Sequence, residues 1–354
     1  MEKAPAKTET VLYLFNLKTD LEDPILSFSI EWIEEFAKNF KEVKVFSTYK
    51  GKVEVSSNVK VVELGGGSNR NRIKAILKMS RILLQILTEP HKPIVFHHMS
   101  VHTITVLGLP LKLAGIKQGM WYSHSAKNLE LKFASWCVTK IFSSSPAAFP
   151  IKSKKVEFIG HGIKTADFKK DEHRNGDTNY EIVSIGRINP IKSLEKIVEA
   201  IHVSNFPNKK VTFIGPTSDE EIIYREKLKA MGQDLGVETE FHDAVSRKTV
   251  PSLLGNYGIF YTGTPRSTDK AAIEAAISGC YVLSVNSDTQ KLLGMADFWK
   301  RNHLESPSLI TQLDFIARRP HESMVNDRHR ISSLAAKNND LSNVIKKVML
   351  ALEI

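Results

Sequence analysis

Two cysteines in 354 residues, Cys137 and Cys280, are too few for a disulfide framework and suit a reducing compartment. Long apolar runs are absent as well: nothing approaches the roughly 20 consecutive residues that a bilayer-spanning helix needs. The opening stretch, MEKAPAKTET, is polar and lacks the apolar core of a secretion signal, so the expected location is the cytoplasm. Three phosphate or nucleophile signatures are also missing. There is no G-x-x-x-x-G-K-[ST] loop, no G-x-G-x-x-G after the first predicted strand and no G-x-S-x-G elbow. Kinase, dehydrogenase and hydrolase readings lose most of their support. With 42% hydrophobic and 25% charged residues, the composition excludes the disordered and collagen-like classes too.

What is present is a basic chain, too long for one ordinary compact domain and short for three. Its net charge of +10 is unevenly placed. Residues 1–170 hold 26 Lys+Arg against 15 Asp+Glu, whereas residues 171–354 hold 23 against 24. The excess therefore sits in the first half, which suggests an anionic partner there: nucleic acid, an acidic membrane surface or a phosphorylated substrate. No helix-turn-helix, RRM or zinc pattern supports nucleic acid, and that partner is not expected.

Short β-rich runs alternate with longer helical patterns, the signature of α/β architecture with parallel sheets. The first half reads as strands over 11–17, 43–47, 59–64, 94–97, 119–123, 140–144 and 156–159, with an amphipathic helix over 25–39. A second series begins at 182–185 and continues through 211–214, 239–241, 259–261 and 281–285. Between the two, residues 167–180 are crowded with charged residues, Asn and Gly, and read as a linker. The expected organisation is a Rossmann-like domain over 1–170, a second over 171–340, and a closing helix over 341–354 that could return to the first domain. The two doubly wound domains are expected to face one another across a cleft.

Ligands of such sheets bind beyond the carboxyl ends of the strands, so the residues that follow each strand carry the chemistry. After the strand at 182–185 comes Gly186-Arg187-Ile188-Asn189-Pro190-Ile191-Lys192. Arg187 offers a planar fork for phosphate oxygens and Lys192 a point charge; otherwise they are two solvated cations. After 259–261 comes a Gly/Ser/Thr-rich loop containing Ser267, Thr268, Asp269 and Lys270, which feeds a helix over 271–278. Unpaired backbone N–H groups at such a terminus suit a phosphate, although Asp269 is also a good N-cap in its own right. Glu274 lies among small apolar residues and needs a partner, either a ribose diol or an internal cation. His124 ends an N-domain strand, either facing the cleft or serving structure. His97, His98 and His102 invite a zinc reading, but no acidic or thiol ligand is near, and they read as cleft lining.

In this order, these segments resemble the retaining glycosyltransferases of family 4, which have the two-domain GT-B fold, over nearly the whole chain. His124 matches the family's histidine after a mid-domain strand, and Gly160–Phe168 looks like the "G-I-D…F" stretch that closes the first domain. Gly186-Arg187…Lys192 matches "G-R…K-G", with Ser193 in place of the glycine, and 273–282 matches "L-E-A-M-A-x-G-x-P-V". The chain departs from the pattern twice. Arg266 stands where the upstream glutamate of E-x7-E belongs, leaving Asp269 or Lys270 to take over. The first βα loop reads LEDPIL rather than carrying Gly-Gly.

The resemblance implies transfer of a sugar from a nucleotide diphosphate sugar to an acceptor hydroxyl with retention, of the hexosyltransferase type (EC 2.4). The context it suggests is the assembly of bacterial-type surface polysaccharide or glycolipid. Arg187 and Lys192 would neutralise the departing diphosphate on the Gly186 loop, helped by the helix start at Ser267, Thr268, Asp269 and Lys270. Glu274 would hold the ribose and His124 would contact the sugar. No metal or other cofactor is expected, and no D-x-D clamp is visible. The acceptor would be a carbohydrate or a lipid-linked group. The alternative is a catalytically weakened GT-B subunit that binds a partner transferase. Finally, residues 71–87 combine Arg72, Lys74, Lys78 and Arg81 with the apolar Ile73, Ile76, Leu77, Leu83, Leu84 and Leu87. They read either as an ordinary crossover helix or as a basic amphipathic helix on anionic lipid at the inner face of the membrane.

Overall fold

The computed structural model describes residues 8–23, 26–65, 69–168, 180–265 and 269–354. The chain divides into two compact units, Met1–Gly162 with Leu341–Ile354, and Ile163–Asp340. Residues 163–168 thus belong to the second unit, slightly ahead of the boundary expected at 170/171. The linker expected over 167–180 lies mostly outside the described residues.

The first unit is one parallel sheet of seven strands: β1 (Thr8–Thr19), β2 (Phe40–Lys50), β3 (Val59–Glu63), β4 (Ile94–His98), β5 (Lys117–Trp121), β6 (Lys140–Ser143) and β7 (Val156–Phe158), in the order β3-β2-β1-β4-β5-β6-β7. Its interior strand β1 carries an unbroken apolar run, Val11–Phe15, because both faces of a doubly wound sheet are covered. On one face Leu12 and Leu14 meet α1 (Phe28–Ala37), whose Trp32, Ile33 and Phe36 share one side of the helix. On the other face Tyr13 and Phe15 meet α2 (Asn69–Leu87) and α3 (Val101–Leu113). The adjoining helix α4 (Leu129–Cys137) packs Leu131, Ala134 and Cys137 beside α3 over β5 and β6.

The second unit is a five-stranded parallel sheet: β8 (Ile182–Ile185), β9 (Lys210–Ile214), β10 (Glu238–His242), β11 (Ile259–Thr262) and β12 (Tyr281–Ser284), in the order β10-β9-β8-β11-β12. The connecting helices are α5 (Glu195–Val203), α6 (Ile222–Leu235), α7 (Val250–Gly255) and α8 (Lys270–Ile277). Four more follow the last strand: α9 (Ser287–Leu292), α10 (Met295–Arg301), α11 (Leu309–Ala317) and α12 (His321–Asn339). At Asp340 the chain leaves this unit, and α13 (Leu341–Ala351) packs Val344, Ile345 and Val348 into the core of the first unit beside α1. Asp340 is bridged to Ile163, whose N–H donates to the Asn339 carbonyl at 2.7 Å, so both crossing points of the chain are tied together.

Candidate active site

In the second unit the strand order reverses at β8. The chain steps from β8 to β9 and β10 on one side, then returns to place β11 and β12 on the other. The loops that leave β8 and β11 are therefore neighbours at the carboxyl ends of their strands, where ligands of such sheets bind. Residues 186–192 and 262–269 are those two loops, so the topology unites two segments that lie about 75 residues apart in the sequence.

Tight backbone packing fixes the first loop. Gly215, just past β9, has φ +155°, and a Cβ built there would sit 1.9 Å from the Gly186 carbonyl oxygen. Gly263, just past β11, presses against the Lys192 carbonyl, where a Cβ would come within 2.3 Å. The Tyr261 hydroxyl donates to the Ser193 carbonyl at 2.7 Å, and the Tyr224 hydroxyl accepts from the Leu194 N–H at 2.9 Å while donating to Glu195 at 2.5 Å. Ser193 itself is left-handed, with φ 45° and ψ 49°. That conformation explains why the resembled motif has glycine at this position. An L side chain in it costs roughly 1–2 kcal/mol, partly offset by the extra entropy glycine loses on folding. Ser193→Gly is therefore expected to raise stability by about 0.5–1 kcal/mol, read as a higher denaturation midpoint at unchanged slope. A lower midpoint would show that the serine side chain holds the loop.

The charges on this scaffold are already paired in part. The Lys192 ammonium, which lies over Gly186, makes an ion pair and hydrogen bond with the Asp269 carboxylate. Asp269 also caps α8, accepting from the Ala271 N–H, and stands 3.4 Å from the Thr262 hydroxyl. Arg187 is exposed and within the field of Glu221. That carboxyl is held below its usual range first by the Ser218 N–H it accepts, with Arg187 a smaller cause. Ser267 and Thr268, together with Arg266, lie outside the described residues.

Glu274 is buried within α8, and the internal cation is there. Its Oε1 is 2.7 Å from Arg247 and 3.6 Å from Lys270. Lys270 thus turns toward Glu274 while Asp269 turns toward Lys192. Arg247, on a short turn before α7, stands over the Phe168 ring at 5.2 Å. Nothing in its polar sequence neighbourhood singled it out. Only the fold carries it to a glutamate 27 positions away.

His124 belongs to the first unit, past β5, and is exposed. Its Nδ1 accepts from the Ala126 N–H at 3.0 Å, so the neutral ring keeps its proton on Nε2. The expectation that His97 and His98 line a cleft is corrected: both are buried in β4. His97 stacks on Phe15 and its Nδ1 hydrogen-bonds Thr103 at 2.8 Å, and burial lowers its pKa to about 3. His98 packs against Trp32 and Trp121. In place of the Gly-Gly loop after β1, Asp20 accepts from the N–H groups of Glu22 and Lys52, and Asp23 pairs with Lys18 at 2.5 Å.

The sequence matches no family model and no curated protein. The architecture nevertheless recurs among solved structures. HepE of Anabaena, in complex with UDP and glucose, aligns over 98% of this chain and 100% of its own with a TM-score of 0.70 at 11% identity. A glycosyltransferase from Rickettsia africae aligns over 98% of both chains with a TM-score of 0.67 at 12% identity. Sucrose-phosphate synthase from Thermosynechococcus elongatus aligns over 98% of this chain and 99% of its own, at 0.64 and 12% identity. The fold is GT-B, two Rossmann-like doubly wound units, the fold class expected from the sequence.

Proposed function

We propose that the protein is a metal-independent glycosyltransferase that moves a sugar from a nucleotide diphosphate sugar to an acceptor hydroxyl with retention of anomeric configuration. The observation that carries this reading is the pair Arg187 and Lys192 on a loop pinned at the switch point of the second unit. As the sugar–phosphate bond breaks, negative charge grows on the departing diphosphate. Preorganised cations lower that barrier most where they need no reorganisation. Arg187 supplies two parallel donors and Lys192 a point charge, which exchanges its Asp269 partner for phosphate oxygen when donor arrives. Glu274, braced by Arg247 and Lys270, takes the ribose hydroxyls. With no carboxylate assigned as nucleophile, the acceptor attacks from the face the diphosphate leaves.

HepE holds UDP, glucose and UDP-glucose in this fold, so UDP-glucose is the first donor to test. The acceptor is a carbohydrate or a lipid-linked group, in surface polysaccharide or glycolipid assembly. A panel of nucleotide sugars is expected to include one that stabilises the protein by about 2.7 kcal/mol at 100 times its dissociation constant. Turnover by the isolated protein, insensitive to EDTA and giving a product of unchanged anomeric configuration, is the second expectation. Stabilisation by none of the panel would overturn the reading; binding without turnover would favour the partner-subunit alternative.

Glu274→Gln is expected to weaken nucleotide affinity roughly tenfold, because a neutral amide is a poorer acceptor for two hydroxyls. It also removes the Glu274 charge from the Arg247–Glu274 ion pair, at a cost of about 2 kcal/mol for a pair that is not wholly buried. Calorimetry showing a lower melting temperature with unchanged affinity would restrict Glu274 to a structural role.

A further inference from the structure

The two faces of the first unit's sheet differ sharply. Helices α2, α3 and α4 cover one face, and α1 and α13 the other. Among the residues whose side chains are described, the first three carry Lys78, Arg81, Lys112 and Lys132 and a single acidic residue, Glu130. Helix α1 instead carries Glu31, Glu34 and Glu35 with no cation, and α13 carries Lys346 and Lys347.

The basic layer is also apolar on its outside. While Met79, Ile82 and Ile86 of α2 are buried, Leu77 and Leu84 point away from the core, the latter 63% exposed. Leu113 of α3 is 80% exposed. Helix α4 buries Leu131, Ala134 and Cys137 but repeats an apolar stripe on its outer side, with Leu129 at 80%, Phe133 at 36% and Trp136 at 53% exposure. The Lys112 ammonium of α3 lies 3.5 Å from the centre of the Trp136 ring and donates to the Trp136 carbonyl, so the two outer faces form one surface. A soluble layer has no need of outward leucines at helical spacing.

We infer that the outer face of α2, α3 and α4 docks on an anionic bilayer. Leu, Phe and Trp enter the headgroup boundary, and the cations answer the lipid charge. The inference extends the α2 expectation to a three-helix surface, and it rests on the lipid-linked acceptor of the proposed function. No described helix is long and apolar enough to cross a membrane, so the contact is a surface one. A second copy is a poor occupant, since a symmetric contact would oppose two strongly basic layers. Nucleic acid would meet the cations but leave the leucines facing phosphates.

Trp136 makes the test direct, because Trp32, Trp121 and Trp299 are buried. The full-length protein is mixed with vesicles of phosphatidylcholine, alone or with phosphatidylglycerol, at low and high salt. Co-sedimentation and a blue shift of tryptophan emission are expected with the anionic vesicles and weaken as salt rises. The double variant Leu129→Ser, Trp136→Ser should lower vesicle affinity roughly tenfold or more, and Lys132→Glu about fivefold or more. Ile223→Ser, an exposed apolar site on α6, should change nothing. Absence of vesicle binding, or binding unchanged in the double variant, would overturn the inference. So would self-association that Leu129→Ser abolishes while vesicles are ignored, or equal binding to duplex DNA by wild type and double variant. Thermal stabilisation by nucleotide sugars is measured on the same variants and must persist in all of them. Its loss in wild type would instead sink the transferase reading, whatever the vesicles show.

Discussion

Lys192→Ala is expected to cut sugar transfer by roughly 10²-fold or more, the scale of removing one preorganised charge contact to a developing anion. Arg187→Ala should do the same, with the loss in kcat as well as in kcat/KM, because both cations act most strongly once the diphosphate is leaving. A companion variant separates catalysis from architecture. Asp269→Asn keeps a good N-cap for α8 but removes the carboxylate that now holds Lys192. If Lys192 serves the diphosphate, freeing it should tighten nucleotide binding several-fold, since less competition from an internal anion remains. If Lys192 merely ties the loop to α8, Asp269→Asn will lower stability and leave affinity alone. Near-normal turnover in both Lys192→Ala and Arg187→Ala would remove the diphosphate site itself.

Gly215→Ala is expected to be the most damaging single methyl in the second unit. The new carbon would meet the Gly186 carbonyl at 1.9 Å, and that oxygen is backbone, with no rotamer through which to escape. Overpacking and strained φ together put the cost at about 3 kcal/mol or more. For a unit of this size that is a fall of roughly 6–12 °C in Tm. Because β8 and β9 must separate to accommodate it, the loop carrying Arg187 and Lys192 moves too, so nucleotide-induced stabilisation should vanish even below the new Tm. A variant that melts normally and still responds to nucleotide would mean that the close approach of these strand ends is dispensable.

Strands and their alternation with helices were legible because the buried strands, such as β1, β4, β11 and β12, are short apolar runs bounded by polar segments. Helices α9 to α12 were not. In α12 the inward side includes Arg328 and Asn339 beside Met324, Ile331 and Ala335, so the helical period never stands out in hydrophobicity. Both site loops were visible from glycine, cation and hydroxyl content after a strand. Their pairing was not, since Lys192 with Asp269 and Arg247 with Glu274 exist only once β8 and β11 are neighbours. The histidine run misled for a different reason: alternate residues of a strand face opposite sides, and both sides of β4 are covered.

The return of α13 to the first unit gives the molecule an order of assembly. Residues 163–340 are, in effect, an insertion between two parts of one domain, and the second part is made only after the whole insertion. Until then the first unit lacks Val344, Ile345 and Val348, leaving an apolar trough beside α1 where Leu12 and Leu14 lie. The inserted unit, complete at Asp340, can fold before the domain that surrounds it in sequence. Synthesis from the N-terminus therefore completes the inserted unit before the first unit, and a stop at codon 341 would spare the loops that carry Arg187 and Lys192 while leaving the first unit without α13.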